Sequence, residues 1–488
     1  MQFEPTWNSL QQYQCPEWFR DAKFGIWAHW GPQAVPMVGD WYARQMYMEG
    51  HPNYEHHLKH YGHPSEFGYK DILPLWKAEK FDPESLIQLY IKTGARYFTT
   101  CGVHHDNFDC WDSKHNRWNS VNIGPKKDIV GMWEKAARKA GLRFGITEHH
   151  ERSYSWFNTN KGSDKSGPYK GVPYDGANPD FQDFYYEPHP DTSHEYPRNP
   201  PVTFIEDWSD RIADFVEKYQ PDLIYTDGGV PFGEYGRRML ANYYNQSLDW
   251  HGGKMDVVYN YKDGNQYPEA VGHGEDENLF GDFVDGIGVV DLERGVVGEI
   301  QEDPWQTDTC IGKWYYQKEV TYKTPRQVIE MLVDIVSKNG NLLLNVPLMP
   351  DGTLDAEELS LLEAIGAWIQ VNGEAIYGTR PWKQYGEGPT RPQGGHMLEK
   401  KELEYTSEDF RFTTKSGAIY VTGMVYPDDG GVAALKSLSL SSEDGRVTSV
   451  SLLGSDQDID WVQDDTALKV TLPAALSRDL CYCLKVVF

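Results

Sequence analysis

Cysteine is scarce. The chain has six in 488 residues: Cys15, Cys101, Cys110, Cys310, Cys481 and Cys483. So sparse a set excludes a disulfide framework as the source of stability. Cys481 and Cys483 alternate along an expected strand and lack the spacing of a metal-binding CxxC pair. Long apolar runs are missing too, so no membrane-spanning segment is expected. Positive charge is in deficit, with 46 Lys and Arg against 73 Asp and Glu and a formal net charge of -27. Phosphate recognition needs basic surface, so nucleic acid and anionic lipid are poor partners. No leader-like segment opens the chain. The expectation is a soluble protein, cytoplasmic, or periplasmic or secreted if a leader has been removed.

What remains is ample for a core. Hydrophobic residues make up 39% of the chain and aromatic residues 14%. The aromatic share fits a surface that handles carbohydrate, because aromatic faces stack on sugar rings. The length suits a large barrel plus a smaller domain.

Short apolar runs alternate with amphipathic stretches over the first three quarters. Strands are expected at FGIWAHW (24–30), YFTTCGV (97–103), RFGITEH (143–149), LIYTDGG (223–229), DVVYNYK (256–262), GVVDLER (288–294) and NLLLNVP (341–347). TCIGKWYYQ (309–317) is the expected seventh strand in barrel order. Helices are expected at 126–141, 207–219, 234–250, 324–338 and 355–370. Alternation implies parallel strands, and eight units imply a (β/α)8 TIM barrel, regular or irregular. Residues 151–205, rich in Gly, Pro, Asp and Tyr, read as a long βα insertion on the active face. Beyond Trp382 the helical period stops. Residues 385–395 read as a linker, and short alternating strands follow at 410–426, 433–442, 447–454 and 467–475. The expected division is a catalytic barrel at 1–382 and an antiparallel β-sandwich at 383–488.

Reacting groups of such a barrel cluster at the C-terminal ends of its strands. The expected strands end in His29-Trp30, His104-His105, Glu148-His149-His150, Asp227, Tyr259-Asn260, Glu293-Arg294 and Asn345. Asp227 follows an apolar strand and precedes Gly228-Gly229, which allow close approach. Its bland reading is a turn Asp; that of Glu293 is an ion pair with Arg294. One carboxylate as nucleophile and a second as acid/base is what retaining glycoside hydrolysis requires. A rival reading gives His104, His105, His149, His150 and Asp227 to zinc. Against it, adjacent histidines on a strand point to opposite faces, and no HxH pair stands on the first strand.

Four blocks then carry a resemblance. WFRDAKFGIWAHWGPQAVPMVGDWYARQMY (18–47) resembles the FGIFxHWGxYSVP…EWY opening of glycoside hydrolase family 29, the α-L-fucosidases. YFTTCGVHHDNFDCWDSKHNRWNSVNIGPKKDIVGMWEKAARKAGLRFGI (97–146) resembles its HHDGFxxWxSxxxxWN…GPKRD block. PDLIYTDGG (221–229) resembles its PDLxWFDG strand, and NGNLLLNVPLMPDGTLD (339–355) its NGNLLLNxxPxxDG block. The resemblance implies a barrel with a C-terminal β-sandwich, no cofactor or metal, and a fucosylated oligosaccharide or glycoside as substrate. It implies Asp227 as nucleophile and His29, His104 and His105 as ligands of fucose hydroxyls. Asp40-Trp41 stand where Glu-Trp is common, and Tyr225 where a tryptophan is usual. Trp305-Gln306 occupy a block that often reads Trp-Glu. Gln306 cannot cycle a proton, so Glu293, in a form resembling the family's ERG, is the expected acid/base, with Arg294 beside it and Glu299 and Glu302 in reserve. Trp41, Tyr42, Trp305 and Trp314 are the candidates to contact the fucose methyl. Gln306 also leaves open a non-catalytic fucose-binding protein.

Overall fold

A computed structural model describes residues 2–264, 280–399, 403–427, 431–473 and 480–488. Eight parallel strands close into a barrel in chain order: β1 (Phe24–Ala28), β2 (Tyr97–Val103), β3 (Arg143–Glu148), β4 (Leu223–Thr226), β5 (Val258–Lys262), β6 (Val289–Asp291), β7 (Trp305–Cys310) and β8 (Gly340–Asn345). β1 pairs with both β2 and β8, which closes the ring. Buried on both faces, the strands read as near-continuous apolar runs. Around them pack α1 (Pro83–Thr93), α2 (Ile129–Lys139), α3 (Val202–Tyr219), α4 (Glu234–Trp250), α5 (Pro325–Ser337) and α6 (Ala356–Asn372). α1 is absent from the sequence expectations, and α3 begins five residues before its expected start at 207.

The seventh strand lies at Trp305–Cys310, not at 309–317. Its residues alternate, so Gln306 and Asp308 enter the barrel while Trp305 turns outward. Polar residues on the inward face erase the apolar signature of a core strand. They belong to a network across the barrel floor. Tyr97 donates to Gln306 (2.8 Å), and Gln306 donates to Asp291 (2.8 Å). Lys262 bonds Asp291 at 3.0 Å and Asp308 at 2.8 Å, all fully buried.

The 151–205 insertion is packed, with short helices at Ser153–Trp156 and Gln182–Tyr185. Buried carboxylates anchor it: Asp175 accepts from Tyr47 (2.7 Å) and Tyr185 (2.6 Å). Asp164 accepts from Tyr54 and Tyr174, each at 2.7 Å.

The C-terminal region forms two antiparallel sheets. One runs in the order β13 (Ser449–Leu452), β16 (Tyr482–Val487), β11 (Ala418–Gly423), β10 (Phe410–Lys415), β9 (Arg380–Glu387). The other runs β12 (Val432–Leu435), β15 (Leu468–Thr471), β14 (Trp461–Gln463). A second core, including Phe410, Phe412, Val421, Leu435, Leu468 and Leu484, is separate from that of the barrel. β9 straddles the expected division at 382/383 and extends into the stretch read as linker, because Gly386 and Glu387 pair with Arg411 and Phe410. The strand expected at 467–475 runs partly outside the described residues. Among the described residues no helix is long and apolar enough to cross a membrane.

Candidate active site

The barrel mouth holds a cavity of about 450 Å³, within the range for small-molecule sites. His29, Asp40, Trp41, His104, His105, Tyr225, Asp227 and Glu293 all line it. Trp27, His149, Arg152, His194, Glu195, Lys262, Phe280, Asp308, Trp314, His396 and Met397 complete the lining, and of these His194 and Met397 are exposed.

β4 delivers Asp227 to this space. Glycines follow it because the segment leading to β6 comes close: a Cβ on Gly229 would stand 2.6 Å from the Asp282 carbonyl. Arg152 Nη2 lies 3.2 Å from Asp227 Oδ2, His105 Nε2 3.5 Å and His149 Nδ1 3.9 Å. Burial alone would raise the Asp227 pKa, but the Arg152 guanidinium foremost, with His149, outweighs it and holds the carboxyl well below its ordinary range. Glu293 is in the opposite situation. Burial pushes it up to about 7, against the attraction of Lys262 and with help from Asp308 and Asp227. Asp40 is likewise pushed up to about 7 by burial, although its carboxylate accepts the Trp41 N–H at 2.7 Å. Two carboxylates facing one cavity with opposed protonation tendencies can serve as nucleophile and acid.

The histidines are neutral, and their tautomers follow from their partners. Gln33 accepts the Ala43 N–H through its oxygen (3.3 Å), so its amide nitrogen donates to His104 Nδ1 (2.8 Å). His104 therefore carries its proton on Nε2, 3.8 Å from Asp40. His105 donates Nδ1–H to the His149 carbonyl at 2.6 Å, which leaves Nε2 as an acceptor. Burial lowers His105 to about 4 and His104 well below its usual value. A donor and an acceptor thus stand side by side, as a hydroxylated ligand requires. Both ring nitrogens of buried His29 lack a hydrogen-bond partner among the described residues. Asn345, at the end of β8, accepts the His29 N–H (3.0 Å) and donates to the Trp314 carbonyl (2.9 Å). It positions two pocket residues without entering the pocket.

The His104-His105 pair departs from the alternation expected of adjacent strand residues. β2 stops at Val103, so both rings turn into the cavity with centroids 4.3 Å apart. His149 and His150 do diverge: His150 bonds Tyr186 at 2.7 Å, behind the site. The rest of the loop at 106–119 serves its own architecture. Asp106 accepts from Tyr69 (2.5 Å), Asp109 pairs with Arg211, and Trp111 donates to Asp214 (2.9 Å).

Two expected site residues lie elsewhere. Trp305 begins β7, at the opposite end of the barrel, and donates to the Lys338 carbonyl at 2.9 Å. Arg294 pairs with Glu399, away from the lining. The expected methyl contact Tyr42 also turns away, bonding His57 at 2.7 Å. Glu299 and Glu302 are exposed and do not line the cavity. Sequence reasoning missed Arg152, Lys262 and Asp308. Lys262 ends β5, so the strand-end rule could have found it; Asp308 was hidden by the misplaced β7.

The nitrogens of His104, His105 and His149 lie within 4.8 Å of one another, as do the ligand atoms of His29, Asp40 and His104. Either group could hold a metal ion by distance.

Comparison with known proteins follows the same lines. Residues 1–374 match the family model described as Alpha-L-fucosidase, and residues 403–487 that of the Alpha-L-fucosidase C-terminal domain. The chain is 29% identical over 483 residues to the tissue alpha-L-fucosidase of Rattus norvegicus, covering 96% of this chain and 88% of the relative. It is 28% identical to the plasma alpha-L-fucosidase of Homo sapiens, with the same coverages. Among solved structures, the Thermotoga maritima alpha-fucosidase in complex with fucose superposes with a TM-score of 0.72 at 26% identity, covering 100% of both chains.

Proposed function

The chain belongs to the alpha-L-fucosidase family and is a glycoside hydrolase acting on fucosylated glycosides, and from this premise we propose that it hydrolyses terminal α-L-fucose with retention, through a covalent fucosyl-enzyme on Asp227. The observation that carries this reading is the opposed environment of two carboxylates in one cavity, Asp227 held ionised and Glu293 held protonated to about pH 7.

Asp227 attacks the anomeric carbon while Glu293 gives its proton to the departing glycosidic oxygen. The C–O bond to the leaving group breaks as the C–O bond to Asp227 forms. Glu293, now a carboxylate, takes a proton from water. The resulting hydroxide equivalent displaces Asp227, restoring both groups. Arg152, with the His149 side chain, holds Asp227 as the anion that attack requires. His29, His104, His105 and Asp40 bind the sugar hydroxyls. Trp41, Tyr225, Trp27 and Trp314 shape the apolar side.

Proton NMR of the first product checks the stereochemistry. α-L-Fucose should appear first and mutarotate later. The β-anomer appearing first would overturn retention.

A further inference from the structure

We propose that residues 395–399, in the connection between β9 and β10 of the C-terminal sheets, belong to the active site, and that His396 and Met397 form with His194 and Glu195 the subsite for the sugar ring to which fucose is attached. The inference rests on the reading of the inner cavity as the fucose site.

The connection leaves the C-terminal sheets and docks on the barrel segment that carries Glu293. Gly395 and Val296 form an antiparallel bridge, with the Gly395 N–H donated to Val296 at 2.8 Å. The Glu293 carbonyl accepts from the Met397 N–H (3.1 Å) and from His396 Nδ1 (3.0 Å). The Glu399 N–H reaches the Arg294 carbonyl at 3.2 Å. The Glu399 carboxylate pairs with Arg294 and Lys323 and accepts from Thr309. Two donors on one carbonyl make His396 and Met397 positioning residues for Glu293.

Both residues also line the cavity. Met397 is 39% exposed, an apolar side chain that adds little to any core. Its φ is +54°, a left-handed conformation that is strained for a methionine. The 151–205 insertion adds His194, whose ring centroid lies 6.0 Å from that of Trp41, and Glu195 to the same lining.

Geometry of the reaction then fixes what enters. The glycosidic oxygen must meet Glu293, so the group bearing that oxygen lies beside the residues bonded to the Glu293 backbone. A methionine, two imidazoles and a carboxylate lining one cavity offer one apolar contact and several hydroxyl partners. That chemistry suits a pyranose.

The test compares kcat/KM for α-L-fucosyl fluoride, which has no sugar leaving group, with kcat/KM for disaccharides of α-L-fucose on a hexopyranose. Met397→Ala should lower the disaccharide-to-fluoride ratio about tenfold, the scale of one lost apolar contact. Met397→Leu should restore most of it. His194→Ala, on the wall that makes no bond to Glu293, should lower the ratio independently of any loop rearrangement. An unchanged ratio in both alanine variants would overturn the subsite, as would equal losses on both substrates. A wild-type enzyme inert toward the fluoride would instead sink the reading of the inner site, and the subsite with it.

Discussion

The ammonium of Lys262 lies 3.6 Å from the carboxylate of Glu293 and is committed more closely to Asp308, at 2.8 Å. Its attraction to Glu293 is therefore partial, and burial wins: the Glu293 pKa stands at about 7. The alkaline limb of kcat/KM should fall near pH 7, where the acid loses its proton. Asp308→Asn removes a charge that raises Glu293 and releases Lys262 toward it. Both effects lower the Glu293 pKa, so the limb should move to lower pH by on the order of one unit. A limb that stays in place would assign it to another group, with Asp40, also near 7, first in line.

The same shift has a consequence for stability. The folded-state pKa of Glu293 is raised to about 7 from its ordinary 4.5, so its stabilising balance is fully present below about 4.5 and lost as pH rises through about 7. Glu293→Gln removes the buried ionisation. The variant should melt higher than wild type at pH 8, by on the order of 1–3 kcal/mol in unfolding free energy, and match it near pH 4. Parallel melting curves at the two pH values would contradict this.

Azide separates the roles of the two carboxylates. With an activated aryl α-L-fucoside, Glu293→Ala should still form the β-linked fucosyl-enzyme and then stall. Azide needs no base, so it should rescue turnover and yield the α-azide. Asp227→Ala forms no intermediate, so azide attacks directly and yields the β-azide. Chromatography and NMR of the products read the outcome. Rescue seen in Glu299→Ala or Glu302→Ala instead would move the proton to that residue.

The apolar side of the cavity should set the preference for fucose, whose methyl replaces the hydroxymethyl of galactose. Trp41 and Trp314 line the cavity; Tyr42 and Trp305 do not. Trp314→Phe or Trp41→Phe should raise relative turnover of the galactose-configured analogue, by up to about tenfold given how modestly apolar pockets discriminate. Tyr42→Phe and Trp305→Phe should leave the ratio as it is.

The histidine groupings at the mouth are close enough for an ion, so metal dependence has a direct check. Dialysis against a chelator should leave activity intact if the rings serve hydroxyls. Loss restored by zinc would assign them to a metal.

Much of the barrel was legible in the sequence because its strands are buried on both faces and read as apolar runs, as at Leu342–Leu344. β7 was not, because Gln306 and Asp308 point inward and answer to Lys262, a residue on another strand. Strand-end position alone brought Asp227, Glu293 and His29 onto one mouth. It could not show that His104 and His105 face the same way, since that depends on β2 ending at Val103. Nor could it place Arg294 and Trp305 outside the cavity, because each is claimed by a long-range partner, Glu399 and the Lys338 carbonyl. Fold class, family resemblance and the available chemistry follow from residue type and local period, which any stretch of the chain carries on its own. The opposed environments of Asp227 and Glu293, the tautomers of His104 and His105, and the bonds from His396 and Met397 to the Glu293 carbonyl arise from the folded chain alone. Those depend on distances between residues far apart in the chain, and local pattern carries no record of them.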